Sequence, residues 1–276
     1  MPEGPSIVIL KEEAADFVGR KVLRVSGNTS IAKERLLGQT LTDLRSWGKH
    51  FLICVPGFAL RVHFLLFGRY RINERKPGTP RLSLGFARGR ELNLHACSLQ
   101  FIEGDLDEAY DWSADVMSPR WNPRKARAKL KKKPAVLAAD ALLDQDVFAG
   151  VGNIIKNEVL FRIRVQPESR IGALPPRKLG ALIRQAREYS FDFLKWKKAH
   201  VLRKHWQVHA KKFCPACGGR LAFKAELGAR RRRAFWCPRC QMLYSRRPSG
   251  RIGRNDTIGP ARNRKMPSVA RKTRGG

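Results

Sequence analysis

The segment Leu143-Asp144-Gln145-Asp146-Val147-Phe148-Ala149-Gly150-Val151-Gly152-Asn153-Ile154-Ile155-Lys156-Asn157-Glu158 reads as a helix, a Gly-Val-Gly break and a second helix. Two glycines permit a tight turn and let a ligand come close to the backbone. The second helix opens with amides that have no partner in their own helix and with the positive end of its dipole, a natural place for a phosphate. Taken alone, the segment describes a plain αα-hairpin equally well. Its surroundings are helical. A basic helix is expected over 123–132, another opens at Pro134 with proline in its first turn and runs to 148, and a third covers 153–162. A longer one is expected over 175–198, where Leu179, Leu182, Ile183, Ala186, Phe191 and Leu194 recur near the helical period.

Upstream the texture differs. After a short amphipathic helix over 7–18, opened by Pro5-Ser6, strands are expected at 22–25, 40–44, 50–55, 59–64, 68–72, 82–86, 91–96 and 99–102. Gly and Pro turns separate them at short intervals, as in a sandwich or barrel, and Gly85-Phe86-Ala87-Arg88-Gly89-Arg90 looks like a hairpin tip. A polar linker over 105–122 divides the two textures.

Downstream lie Cys214-Pro215-Ala216-Cys217 and Cys237-Pro238-Arg239-Cys240, a C-x2-C-x19-C-x2-C pattern. Each pair can place two sulfurs on one tetrahedral zinc ion, and the intervening residues suffice for a short β-hairpin. Two disulfides or redox thiols are the competing reading, but a redox pair usually comes singly beside a βαβ unit. Between the pairs runs Arg230-Arg231-Arg232-Arg233-Ala234-Phe235-Trp236, a basic stretch followed by aromatics. Cys54 and Cys97 sit in strand-like stretches and read as buried thiols.

Lys and Arg number 56 against 23 acidic residues in a chain of 276, a formal net charge of +33. Such an excess opposes compaction and points to nucleic acid as the partner, with an anionic membrane surface as the other candidate. No apolar run approaches the ~20 residues of a membrane span. The N-terminus lacks the layout of a signal peptide, so a cytoplasmic, nucleoid-associated bacterial protein is expected. The segment 245–276 is Arg, Lys, Gly and Pro with almost no apolar residues and is expected to be a disordered basic tail, adding non-specific DNA or protein contacts.

Met1-Pro2-Glu3-Gly4-Pro5, the helix–Gly-Val-Gly-Asn–helix segment and the cysteine quartet occur together and in this order. On these motifs the chain resembles the formamidopyrimidine-DNA glycosylase/endonuclease VIII family over roughly 1–244, the endonuclease VIII-like branch more closely, since that branch also starts Pro-Glu-Gly-Pro. The resemblance implies a multidomain α+β protein: an N-terminal catalytic β-sandwich domain with a leading helix (1–118), a helix-two-turns-helix DNA-binding domain (119–209) and a zinc finger (210–244), followed by the tail (245–276). It implies one structural Zn2+ on Cys214, Cys217, Cys237 and Cys240, all four positions being filled by protein. It also implies a monomer acting on damaged DNA, double- or single-stranded.

The same resemblance assigns roles. Removal of Met1 would make Pro2 the nucleophile, a secondary amine whose pKa near 7.7–8.0 (about the value of a free α-amine) leaves a usable unprotonated fraction at neutrality. Attack on the sugar C1′ expels the damaged base and leaves an iminium that acidifies the C2′ proton, so strand cleavage follows by elimination. Glu3 resembles the family's catalytic carboxylate, and Lys49, in Trp47-Gly48-Lys49-His50, its β-strand lysine. Asn153 and Arg232 match residues that hold the phosphates around the lesion. Asn153 could also cap its helix, and Arg233 is a register-shifted alternative to Arg232. His63 falls at a phosphate-contacting histidine, though a buried strand histidine fits too. Leu65, Leu66 and Phe67 stand where the family carries the wedge that fills the gap left by a flipped base.

Two departures bear on substrate. Position 6 is Ser where relatives commonly have Glu, and His95-Ala96-Cys97-Ser98-Leu99-Gln100 lacks the Arg-Arg-Phe cluster of the formamidopyrimidine branch. Both favour oxidised pyrimidines over 8-oxoguanine. The implied activity is a bifunctional DNA glycosylase and AP lyase of base-excision repair. A non-catalytic, zinc-containing DNA-binding protein of the same architecture is the alternative. A basic zinc-ribbon protein of the ribosome or transcription machinery would have no use for Pro2-Glu3 or the β-rich first half.

Overall fold

The computed structural model of the protein describes residues 2–75 and 77–245, so the expected tail lies, beyond Ser245, outside the described residues. A leading helix, α1 (Gly4–Glu13), precedes six strands: β1 (Arg24–Ser26), β2 (Asp43–Trp47), β3 (His50–Val55), β4 (Phe58–Ile72), β5 (Leu82–Gly85) and β6 (Glu91–Glu103). They form one antiparallel sheet in the order β1-β5-β6-β4-β3-β2.

Eight strands were expected where six form. Segments 59–64 and 68–72 are both β4, and 91–96 and 99–102 are both β6, because the ladder between these strands resumes after an interruption: Phe64 pairs with Cys97, and the next pair is Arg69 with His95. Four residues of β4 loop out opposite Ala96, whose φ is +47°. The interruption divides the sheet into two halves. β3 and β2 extend the ladder from the near half of β4, and β5 and β1 extend it from the far half of β6. Ile53, Leu60 and Val62 of one half share a buried core with Leu84, Leu92 and Leu94 of the other and with Ile7 and Leu10 of α1. This is the sandwich, built from one bent sheet rather than two separate ones. Leu52, Cys54 and Ala59 point the other way and are covered by Leu106, Tyr110 and Trp112 around a short helix, α2 (Leu106–Ala109).

The helical half comprises α3 (Pro123–Lys131), α4 (Ala138–Leu143), α5 (Gln145–Phe148), α6 (Asn153–Arg162) and α7 (Pro176–Lys198). The single helix expected from Pro134 to 148 is two, because Asp144 leaves helical geometry and its carboxylate caps α5 by accepting the Asp146 amide at 3.2 Å. The leading helix starts earlier than expected and ends at Glu13, with only a 3-10 turn, Ala15–Phe17, beyond.

The last two strands, β7 (Ala222–Leu227) and β8 (Arg232–Trp236), make the hairpin between the cysteine pairs. Leu227, Ala234 and Trp236 join the helical core, so this hairpin packs as part of the helical domain. Among the described residues no helix is long and apolar enough to cross a membrane.

Candidate functional site

Three backbone segments meet where side chains are absent. A Cβ on Gly4 would lie 2.9 Å from Cα of Gly150, and one on Gly48 would lie 2.9 Å from the Gly150 nitrogen. The Gly4 amide donates to the Gly150 carbonyl at 2.9 Å. This contact welds the start of α1, the β2–β3 turn and the α5–α6 turn at close range. The neighbours along the chain carry the chemistry: Pro2 and Glu3 before Gly4, Lys49 after Gly48, and Gly152 and Asn153 after Gly150. Lys49 therefore sits in the two-residue turn joining β2 to β3, where a strand position was expected.

Glu3 is 3% exposed. Its carboxylate accepts the amides of Gly152 at 3.1 Å, Ile154 at 2.8 Å and Ile155 at 3.2 Å. The start of α6 thus holds an acidic group, as the dipole argument requires, but the group is the chain's own carboxyl and not a phosphate. The sequence missed this because the partners are about 150 positions apart. Burial pushes the Glu3 pKa upward, against the charge of Lys49 and the three amides. Burial lowers the Lys49 pKa; Glu3 opposes this, while Arg232 and Arg230 add to it. A carboxyl and an amine biased toward their neutral forms, side by side, are suited to proton transfer.

Asn153 opens α6, and its Oδ1 accepts a hydrogen bond from Lys156 Nζ at 2.8 Å. The same ammonium donates to the Arg233 carbonyl at 2.7 Å and is 1% exposed. Burial lowers the Lys156 pKa to about 8. Lys156 was not singled out from sequence, yet it ties Asn153 to β8. Arg232, exposed at the start of β8, lies near enough to act electrostatically on both Lys49 and Lys156. Arg233 instead acts on His209. Of the two register alternatives, Arg232 is the one whose charge acts on Lys49.

His63 is half-buried on β4, opposite His50, with ring centroids 5.2 Å apart. Its Nδ1 is buried with no partner among the described residues. Burial and the charges of Lys49 and Arg61 keep the ring below its ordinary pKa and hence neutral. Leu65, Leu66 and Phe67 occupy the looped-out part of β4 and are 50%, 59% and 81% exposed. Three large apolar side chains held on a projecting backbone are an expensive surface to leave in water and a candidate contact site.

Pro2 lines a cavity of about 920 Å³ between the sheet and the helical domain, together with Ser6, Tyr70, Ile154, Phe193 and Trp206. Its volume exceeds that of a nucleobase. The connector after α7 forms one wall and is fixed by Glu158, another residue missed from sequence. Its carboxylate, 0% exposed, accepts the amides of Gln207, Val208 and His209 at 2.9, 3.0 and 2.7 Å. The reason for the pairing shows only in the fold. Helix α6 is buried from Ile155 to Phe161, so Lys156 and Glu158 have no solvent face and must be paired.

The Sγ atoms of Cys214, Cys217, Cys237 and Cys240 all lie within 4.8 Å of one another, with Cys214–Cys240 at 3.8 Å and Cys217–Cys237 at 3.5 Å. Zn–S bonds of about 2.3 Å in a tetrahedron place sulfurs about 3.8 Å apart, so the four thiols fit a zinc ion and no fourth position stays open for substrate. Phe161 of α6 packs against this cluster.

Residues 1–97 match the family described as formamidopyrimidine-DNA glycosylase N-terminal domain, and residues 113–191 the formamidopyrimidine-DNA glycosylase H2TH domain. Endonuclease 8-like 2 of Homo sapiens is 30% identical over 265 residues, covering 90% of this chain and 77% of that protein. Probable endonuclease 8 2 of Streptomyces coelicolor is 28% identical over 272 residues, 92% of this chain and 98% of that one. Endonuclease 8-like 3 of Xenopus laevis is 29% identical over 224 residues, 75% of this chain but 35% of that protein, so the chain spans about a third of the length of that relative. In structure, the Lactococcus lactis formamidopyrimidine-DNA glycosylase bound non-covalently to DNA with an AP site superposes with a TM-score of 0.76 at 22% identity, over 87% of this chain and 99% of that one.

Proposed function

Because the chain belongs to the formamidopyrimidine-DNA glycosylase/endonuclease VIII family, we propose that it is a bifunctional DNA glycosylase and AP lyase that excises oxidised pyrimidines through Pro2. The observation that carries this reading is the glycine weld, which brings the Glu3 and Lys49 segments together next to Pro2, a residue of the cavity lining. With Met1 in place the Pro2 nitrogen is an amide; its excision exposes a secondary amine. That amine attacks C1′ of an extrahelical nucleotide as the C1′–N bond to the base breaks, and the departing base takes a proton. The amine proton is lost and the C1′–O4′ bond opens, with O4′ taking a proton, to leave an iminium; this is resolved by loss of the C2′ proton and departure of the 3′-phosphate, and water then releases the amine. Glu3 and Lys49 carry the protons. His63, Asn153 and Arg232 grip the flanking phosphates, and Leu65, Leu66 and Phe67 fill the vacated stack.

Cys214, Cys217, Cys237 and Cys240 would hold one Zn2+, which supplies structure by fixing β7 and β8 and takes no part in the chemistry. A single chain contains every group the reaction requires. The large basic excess supplies affinity for the backbone, and the tail, outside the described residues, adds to it by charge alone.

Borohydride trapping tests the proposal on DNA carrying an abasic site or an oxidised pyrimidine. A covalent adduct is expected from the Met1-processed protein and none from Pro2→Gly or from protein retaining Met1. Absence of an adduct with processed protein overturns the proposal in favour of a non-catalytic DNA-binding protein.

A further inference from the structure

Arg230, Arg231, Arg232 and Arg233 follow one another at the turn of the zinc hairpin, and the fold sorts them. Arg230 lies 3.7 Å from the Asp144 carboxylate, and Arg231 pairs with Glu226 at 2.8 Å. Arg232 and Arg233 have no carboxylate partner among the described residues. The turn itself is held by Asp140 of α4, which is 9% exposed. Its carboxylate accepts the amides of Ala229 at 2.9 Å and Arg230 at 3.2 Å. Gly228, at φ +72°, leaves the space that this carboxylate fills, since a Cβ there would overlap both of its oxygens. On the other side, Lys156 Nζ donates to the Arg233 carbonyl at 2.7 Å. The backbone before and after Arg232 is therefore fixed by the helical domain, through Asp140 and through Lys156. An ordinary turn cap comes from a residue nearby in sequence, whereas this one lies about 90 positions upstream. A carboxylate among arginines also weakens the positive potential that attracts a phosphate backbone.

We propose that Asp140 is a positioning residue for the DNA grip: it docks the hairpin turn on α4 and so fixes Arg232 where that side chain reaches the phosphates. The inference rests on the proposed glycosylase reading and deepens it, adding a residue that holds neither zinc nor DNA. Charge and position then predict opposite signs. Removing a carboxylate from a basic surface should tighten DNA binding by charge alone. Freeing the turn should weaken it.

Fluorescence anisotropy decides between them, with a labelled duplex carrying a tetrahydrofuran abasic analogue at several salt concentrations. Asp140→Ala is expected to bind about five- to tenfold more weakly, the size of one charge-assisted phosphate contact. Its plot of log affinity against log salt should be shallower by about 0.9, as one phosphate contact is lost. Zinc content should equal that of wild type. Asp140→Asn keeps an acceptor oxygen and should fall between. Gly228→Ala expels the carboxylate from the turn side with α4 unchanged and should match Asp140→Ala, so the test stands even where Asp140→Ala folds poorly. In an Arg232→Ala background, Asp140→Ala should add less than about twofold, because the two act through one contact. Unchanged or tighter binding by Asp140→Ala and Gly228→Ala overturns the proposal. So does a full further loss in the Arg232→Ala background, or a loss accompanied by zinc release, which would make Asp140 merely structural. Arg232→Ala binding like wild type overturns the phosphate grip in the proposed function itself, and that single variant tells the two failures apart.

Discussion

Glu3 and Gly152 share one space: the Gly152 amide donates to the Glu3 carboxylate at 3.1 Å, and a Cβ on Gly152 would lie 2.6 Å from Oε1. Gly152→Ala must therefore expel the carboxylate from the start of α6. Expelling it leaves three amides without their acceptor, and the expected loss is about 1–3 kcal/mol of stability for each group left buried and unpaired. Borohydride trapping on abasic DNA should fall with it. Glu3→Gln keeps the volume but offers one acceptor oxygen and sets an NH2 against a backbone N–H, so it should lose activity at smaller cost in stability. Denaturant melts and trapping on the two variants check this. A Gly152→Ala protein with full trapping would mean that Glu3 does not work from this position.

Asp115 gives the fold a pH dependence. It is buried in the loop that precedes the helical domain, and its carboxylate accepts the Met117 amide at 2.9 Å. Burial raises its pKa from 3.8 to about 6. Between those values the folded state binds more protons than the unfolded one, so the contribution of this group to stability is full below pH 3.8 and is lost as pH rises through 6. Two pKa units correspond to about 3 kcal/mol. Asp115→Asn cannot ionise and keeps an acceptor for Met117. Relative to wild type it should gain roughly that amount between pH 4 and pH 7 in denaturant titrations. A difference that does not vary with pH would show that Asp115 is ionised in the fold.

The sequence showed what was local. The C-x2-C spacings, the proline and glycine punctuation and the helical period of α7 are each written within a few tens of residues, and the metal cluster, α6 and α7 follow them closely. What could not be seen were contacts between distant segments. Gly4, Gly48 and Gly150 lie far apart along the chain, and only the folded chain shows them stacked at one junction. Lys156 and Glu158 look like surface charges until α6 proves to be buried all round. The division of β4 by a bulge was legible as a run of apolar residues before Gly68, but not as one continuous strand, because alternation breaks at the loop-out.

Zinc removal should act on grip and not on the sandwich. Cys214 and Cys237 pack against Phe161 of α6, and β8 places Arg232 beside Lys49 and Lys156. Cys237→Ala, or exhaustive chelation, is expected to release one zinc per chain and to weaken DNA binding by at least about tenfold, the order of a lost set of charge-assisted phosphate contacts. The sheet core around Phe51, Leu60 and Leu92 shares no residue with the metal cluster and should melt as before. Metal release, fluorescence anisotropy with labelled DNA and limited proteolysis read the three effects separately. Unaltered affinity in the metal-free protein would detach the hairpin from DNA binding.

Phe67 should matter only where there is a stack to enter. It is the most exposed member of the Leu65, Leu66 and Phe67 tip, and that tip projects because the β4–β6 ladder skips from Phe64 to Arg69. Flipping a base out of duplex DNA costs a few kcal/mol in lost stacking, and an apolar wedge recovers part of that cost by filling the gap. In single-stranded DNA there is little stacking to replace. Phe67→Ala is therefore expected to slow excision from a duplex about tenfold and to leave excision from the single strand nearly unchanged, since a stacked ring contributes about 1–3 kcal/mol. The substitution lies on the surface, so stability should hold within about 0.5 kcal/mol. Single-turnover rates on the same lesion in the two contexts supply the ratio. An equal loss in both would place Phe67 in the base pocket, and no loss in either would remove the wedge from the mechanism.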